Sequence, residues 1–420
     1  MRVIAWSLTI LLLAASAVRA DGWKTTLSSH SLGPERIVAI DKASQTLFLL
    51  EQRSPLHMKE SYPCTTGQVE GDKLVRGDMR TPEGVYFLGG RIGRKLDWTL
   101  YGNVAYSLNY PNPVDRIKGK TGYGIWLHGR GKTLVPRDTL GCVALKNPDI
   151  QALGDDITPG TPVLIASDLK WTPKNNQDDP LAEELAEQVR IWASDWEKQG
   201  QDFLDHYNPA LMTLSENSDF RNFAAHKRNV FAAKPWIHVV VDNIHVMPGP
   251  DYWVTWFDQY YRTTGLISQT GKRFYWQRDT DGKWRIVGRE FTPASQDLEP
   301  RYLSRVSTQA EELVRTWAEA WRGADIDVYT TCYADDAMQD GRRGPKRIAE
   351  YKKALWEEKP PVKLEVEQME IALHPRGLKV NFLQKYSDAS GYSDVGVKTL
   401  VLAPRGRDWK IQSEHWRRSR

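Results

Sequence analysis

Between residues 35 and 167 the apolar positions fall in short runs separated by glycine, proline and charge. Residues 36–41 (Arg-Ile-Val-Ala-Ile-Asp) and 46–50 (Thr-Leu-Phe-Leu-Leu), on either side of a turn at 42–45, predict a β-hairpin. Residues 84–88, 124–128 and 161–166 predict further strands. Many short strands joined by Gly/Pro turns predict a β-sandwich or barrel. Residues 168–180 collect Lys174, Asn175, Asn176, Gln177, Asp178, Asp179 and Pro180, the pattern of a linker. Beyond them the period changes. Residues 182–199 and 309–322 place Trp192 with Trp196, and Trp317 with Trp321, four apart on one face, which predicts two amphipathic helices. A shorter helix follows each, at 221–232 and 345–356. Long strands come next, the last of each set preceded by a charged turn at 279–283 or 405–408.

These two sets are copies of one another. Val189-Arg190-Ile191-Trp192 recurs as Val314-Arg315-Thr316-Trp317, and Trp284-Arg285-Ile286 as Trp409-Lys410-Ile411. Phe257, Gln259 and Tyr261 recur as Phe382, Gln384 and Tyr386 at the same offset. Helices first and antiparallel strands after them predict an α+β cone in each copy, over 181–297 and 305–418. The chain therefore reads as multidomain: a β-rich sandwich at 35–167, a linker at 168–180 and two tandem α+β cone domains. The tryptophan stripes are read as core, and His206, His245 and His415 as structural.

Charge and cysteine content narrow the function. Lys and Arg number 57 and Asp and Glu 53; a net charge of +4, spread along the chain, excludes the basic footprint of a nucleic-acid binder. Three cysteines, Cys64, Cys142 and Cys332, are too few for a disulfide framework. Arg2, the apolar run from Val3 to Val18 and the small-residue site Val18-Arg19-Ala20 make residues 1–20 an export signal, cleaved after Ala20. No later apolar run has the length of a bilayer span, so the expected location is the periplasm. No phosphate loop or zinc-ligand cluster is present in the sequence, and no cofactor or metal is expected.

The candidate chemistry lies between Tyr123 and Asn147. His128 ends one apolar run and Cys142 opens another, with Gly129, Arg130, Gly131 and Lys132 in the loop between. Two short strands joined by that loop could bring the two side chains together. A thiolate is a good nucleophile, and an imidazole can take its proton and return it to a leaving amine. Gly141 lets a substrate approach the backbone. The amides of Gly141 and Cys142 are the expected oxyanion donors. Residue types alone would favour a small buried cysteine and a core histidine.

The neighbouring residues change that. His128-Gly129, a spacer and Thr139-Leu140-Gly141-Cys142-Val143 resemble the catalytic signature of the L,D-transpeptidase (YkuD) family. Thr81-Pro82-Glu83-Gly84 resembles that family's Thr-Pro-x-Gly substrate-loop motif, and residues 107–116 are similar to its Gram-negative branch. The chain departs from the pattern at Leu140, where most members carry His, and at Ala144, where most carry Arg. The cones resemble the nuclear-transport-factor-like (SnoaL-like) fold, found behind some members, including cell-shape L,D-carboxypeptidases. The resemblance implies an exported cysteine peptidyltransferase acting on peptidoglycan stem peptides through a Cys142 acyl-enzyme, with His128 as base and Gly141 at the oxyanion. Transpeptidation is the first expectation. Carboxypeptidation, trimming the terminal D-alanine of tetrapeptides, is the alternative, followed by an amidase. A non-catalytic wall-binding protein is the reading from another class. Thr139 and Gly129 would line the substrate site. Arg130 and Lys132, in a loop able to close, would replace the absent arginine, with Lys146 or Arg80 as the other choices. Two copies of the chain could pair through the cones.

Overall fold

The computed structural model describes residues 22–51, 56–92, 96–175, 179–405 and 408–419, so the expected export signal lies outside the described residues. They form two compact units. The first comprises residues up to Ser29 with Glu35–Tyr110 and Lys120–Asn175; the second comprises Asn176–Arg420 with His30–Pro34 and Pro111–Gly119.

The first unit runs β1 (Lys24–Ser29), β2 (Arg36–Asp41), β3 (Thr46–Glu51), β4 (His57–Pro63), β5 (Gly84–Arg91), α1 (Trp98–Tyr101) and β6 (Ala105–Leu108). After α2 (Pro113–Ile117), which belongs to the second unit, it continues with β7 (Trp126–Arg130), β8 (Val143–Lys146), α3 (Asn147–Gly154), β9 (Pro162–Ala166) and β10 (Asp168–Asn175). One sheet has the order β4-β3-β2-β9-β5-β6-β7-β8. β5 pairs with β9 through Gly84 to Phe87 and with β6 from Leu88 onward, with a register shift in the second pairing. That strand serves both halves of the sheet. Val38, Ile40, Leu47 and Leu49 from one half share a single apolar core with Tyr106, Leu108, Leu127, Val143 and Leu145 from the other. This is the expected sandwich.

The stretch expected as a linker is mostly strand. Residues 168–175 form β10, parallel to β1. Asp168-Leu169-Lys170-Trp171 alternates with period two, Leu169 is buried, and the Trp171 ring lies 4.4 Å from that of Phe48. The polar run from Lys174 onward masks this short alternation in the sequence. The next helix begins at Pro180, with Asp179 as its N-cap.

In the second unit α4 (Pro180–Lys198), α5 (Asp202–Asp205), α6 (Pro209–Glu216) and α7 (Phe220–Ala233) precede a meander of β11 (Ile237–Pro248), β12 (Trp253–Thr263), β13 (Leu266–Arg278) and β14 (Trp284–Thr292). The second copy has α8 (Glu299–Arg322), α9 (Ile326–Thr331), β15 (Tyr333–Gln339), β16 (Arg342–Arg343), α10 (Pro345–Glu358), β17 (Pro361–His374), β18 (Gly377–Asp388), β19 (Ser393–Arg405) and β20 (Asp408–Arg418). Its sheet order is β16-β15-β20-β19-β18-β17. Both copies are α+β cones. The repeat holds in register: His238 faces Arg262 and Val240 faces Tyr260 in the first copy, as Lys363 faces Ser387 and Glu365 faces Lys385 in the second. All four stripe tryptophans are buried, and Trp192 and Trp317 each donate their indole N–H to a tyrosine hydroxyl, Tyr207 or Tyr333, at 2.9 Å. His206 is structural but not solitary: its Nε2 lies 2.9 Å from Asp195.

α8 starts at Glu299 rather than at 309, so the boundary expected at 305 falls inside it. Tyr302 and Val306 extend its apolar stripe and pack with Val240 and Tyr260 of the first copy in one core. Arg262 ties the copies further. It is 2% exposed and donates to the carbonyls of His374 and Gly377, both at 2.6 Å. Arg262→Met should leave those two acceptors without their donor, at about 1–3 kcal/mol, which lowers the melting point by several degrees in a unit of this size. Calorimetry on the full chain would show the cone transition moved down. An unmoved transition would mean that the shared apolar core alone holds the copies together.

Candidate active site

β7 and β8 run parallel, with Leu127 opposite Val143 and His128 opposite Ala144. Leu127, Val143 and Leu145 enter the core. Alternation sends Trp126, His128, Arg130, Ala144 and Lys146 to the other face. Cys142 stands one residue ahead of β8, on that second face. It lies two residues before Ala144, the residue that stands opposite His128.

The turn before Cys142 is held by hydroxyls. Gly141 has φ +126°, and a Cβ there would lie 2.8 Å from the Arg80 carbonyl oxygen, so a side chain is excluded twice over. Thr139 Oγ1 accepts from the Gly141 N–H at 3.1 Å and donates to the Cys142 carbonyl at 2.7 Å. Thr81 Oγ1 donates to the Gly141 carbonyl at 3.0 Å. Thr139 therefore shapes the turn. At rest the Gly141 amide, one of the two expected oxyanion donors, is engaged by Thr139; the Cys142 amide is the other.

His128 is buried at the centre of β7. Its Nδ1 lies 2.6 Å from the Gly129 carbonyl oxygen, which can only accept, so Nδ1 carries the proton and Nε2 is the basic nitrogen. The Tyr101 ring packs edge-on at 5.2 Å from His128 and also 5.2 Å from Trp126. Gly129 itself is a packing residue: a Cβ there would sit 2.3 Å from Asn147 Oδ1. The resting thiol points elsewhere, donating to the Gly124 carbonyl at 3.6 Å.

The expected replacement cations are placed differently. β7 runs to residue 130, not 128, so Arg130 is strand rather than loop. It is 7% exposed and its Nη2 is paired with Asp138 at 2.9 Å; Nε and Nη1 are buried without a hydrogen-bond partner among the described residues. Lys132 is half-exposed and reaches the same carboxylate at 3.2 Å. Arg130 is thus fixed by burial and by Asp138, and a loop closure by this pair is not available to it. Lys146 lies opposite Arg130 and is exposed. Arg80 turns its backbone to Gly141, while its Nη1 lies 3.5 Å from the Asp72 carbonyl. Sequence reasoning missed Lys73, whose buried ammonium pairs with Asp78 at 2.7 Å, and Lys120, paired with Asp72 at 2.5 Å. The signal available was Asp78 beside Gly77, a turn whose carboxylate also takes the Leu74 and Val75 amides.

Residues 35–165 match the L,D-transpeptidase catalytic domain, and residues 184–290 and 309–415 each match the Cds6 C-terminal NTF2-like domain, together more than half of the chain. The chain belongs to the family of the Cds6 C-terminal NTF2-like domain, which it carries twice behind an L,D-transpeptidase catalytic domain. A point variant of the helical cell shape determining protein Pgp2 from Campylobacter jejuni is similar at 24% identity and a TM-score of 0.51, over 63% of this chain and 92% of that one. Bd1075 of Bdellovibrio bacteriovorus is similar at 26% identity and a TM-score of 0.49, over 64% of this chain and 97% of that one. A search of curated proteins finds no match. No helix among the described residues is long and apolar enough to cross a membrane.

In this L,D-transpeptidase domain both candidate partners rest uncharged. Burial pushes the Cys142 thiol up to about 11, against the Trp126 backbone and the Lys73 charge, which pull it down. Burial holds the His128 imidazole down at about 4; the Gly129 carbonyl pulls it up and Arg130 adds to the lowering. For both groups desolvation outweighs the polar compensation around them. Two outcomes follow. Iodoacetamide should label Cys142 slowly at pH 6–8 and faster towards pH 11, read by mass; full labelling at pH 6 would mean a thiolate–imidazolium pair instead. His128 is neutral above about pH 4, so the acid limb of kcat/KM should lie near pH 4. A midpoint at the ordinary histidine value would show that the ring is solvated in the free enzyme.

Proposed function

We propose that the chain is an exported cysteine peptidyltransferase acting on peptidoglycan stem peptides. The observation that carries this reading is the His128 Nδ1 bond to Gly129 O at 2.6 Å, which leaves Nε2 basic on the face that carries Cys142. The thiol rotates from Gly124 and gives its proton to Nε2 as Sγ adds to the carbonyl of the diamino acid in a tetrapeptide stem. The Cys142 amide donates to the oxyanion. The C–N bond to D-alanine breaks, and the imidazolium returns the proton to the leaving amine, leaving a thioester.

Attack on that thioester by an amine of a neighbouring stem, deprotonated by His128, gives a cross-link. This is the transpeptidase reading. Attack by water gives a trimmed tripeptide and is the second reading. Ala144 in place of the family's usual arginine favours it. Residues 1–20 would deliver the enzyme to the periplasm.

The test is to incubate the purified full chain with disaccharide tetrapeptide and weigh the products. A tripeptide indicates hydrolysis, a joined stem indicates transfer, and unchanged substrate rejects both. Cys142→Ala should lower turnover by about 10⁴-fold or more with the melting point kept, since one small side chain replaces another. Turnover that survives the substitution would take Cys142 out of the mechanism.

A further inference from the structure

The turn that presents Cys142 is held from behind by a residue that the sequence leaves in a hairpin turn. Lys42 follows β2 and is 6% exposed. Its ammonium donates to the carbonyls of Gly71 at 2.6 Å and Thr81 at 2.9 Å, and to Glu83 Oε1 at 2.8 Å. Glu83 is buried as well, and its second oxygen accepts from the Trp23 N–H at 2.6 Å. Gly71 and Thr81 are the two ends of the loop that carries Lys73, Asp78 and Arg80, so a single ammonium draws both ends to one point.

Thr81 passes that anchorage forward. Its fully buried hydroxyl accepts from the Gly67 N–H at 2.8 Å and donates to the Gly141 carbonyl at 3.0 Å. The turn admits only glycine at 141, because its φ is +126° and a Cβ would lie 2.8 Å from the Arg80 carbonyl oxygen. Contact is therefore continuous from Lys42 through Thr81 and Gly141 to Cys142. A buried ion pair contributes little net stability compared with an apolar pair of the same shape. What an ammonium with three oxygen partners does supply is a fixed position for each of them.

We propose that Lys42 is a positioning residue for acyl transfer: by holding Thr81 it fixes the Gly141–Cys142 turn on the face that carries His128. This rests on Cys142 being the nucleophile.

Lys42→Met combined with Glu83→Gln removes both charges together and leaves neither buried alone. The double variant should melt cooperatively. Its kcat on disaccharide tetrapeptide should fall by up to about 10²-fold, the effect of a displacement near 1 Å, while KM holds. The rate of Cys142 alkylation at fixed pH, read by mass and independent of turnover, should change with it. A merely structural lysine would lower the melting point and leave kcat per folded enzyme unchanged. A folded double variant with wild-type kcat and wild-type alkylation overturns the proposal. Should it not fold, Thr81→Val and Thr81→Ser decide. Serine keeps the hydroxyl and should restore kcat where valine loses it; equal kcat in the two rejects the proposal. Cys142→Ala, measured in parallel, separates the two failures. If it keeps turnover, the nucleophile reading falls; if it loses turnover while the double variant keeps it, only the role of Lys42 falls.

Discussion

The site follows from the parallel pairing of β7 with β8. A parallel pair cannot be closed by a tight turn and needs a crossover between its strands. The chain uses residues 131–142 for that crossover, and the same residues build the site. Asp138 takes Arg130 and Lys132, Thr139 folds back onto Cys142, and Gly141 makes the last change of direction. The Thr65 backbone closes the far side of β8, exchanging hydrogen bonds with Ala144 at 2.8 and 2.9 Å. A slip of one residue in this pairing would move His128 and Cys142 to opposite faces.

The same burial that fixes the geometry sets the charge state. His128 is buried and Cys142 half-buried, and groups so withdrawn from water are easier to hold neutral than as an ion pair, unless polar groups compensate. Here compensation is slight: one carbonyl for the ring, and the Trp126 backbone and the Lys73 charge for the sulfur. A neutral resting thiol is also a poor target for oxidants, which attack the thiolate.

His128 and Cys142 were legible because their motifs lie within one stretch of chain, with the strand runs around them. The duplicated cones were legible because bulky tryptophans recur at one offset. What escaped the sequence depended on partners far along the chain. The early start of α8 is set by Val240 and Tyr260, which give Tyr302 and Val306 something to pack on. β10 is set by β1, which lies more than a hundred residues earlier. The occupation of the Gly141 amide is a matter of where one threonine hydroxyl turns. Buried charge was equally hidden. Lys398 is paired with Glu414 in the second cone, whereas Arg289 stands at the matching place in the first, and Lys272 there meets the Phe291 ring instead of a carboxylate.

A domain that docks head to tail on its own copy exposes the docking face again at the far end, and nothing in the contact itself limits the number of copies. In this chain the two copies differ at that face. Where the first has Val240, Tyr260 and Arg262, the second has Glu365, Lys385 and Ser387 at the same register positions. Glu365 is paired with Lys363 at 3.0 Å, and Lys385 with Glu367 at 2.7 Å. The face that receives a neighbour in one copy has become a ladder of paired charge in the other. The second cone does not repeat the apolar face on which the first receives its neighbour.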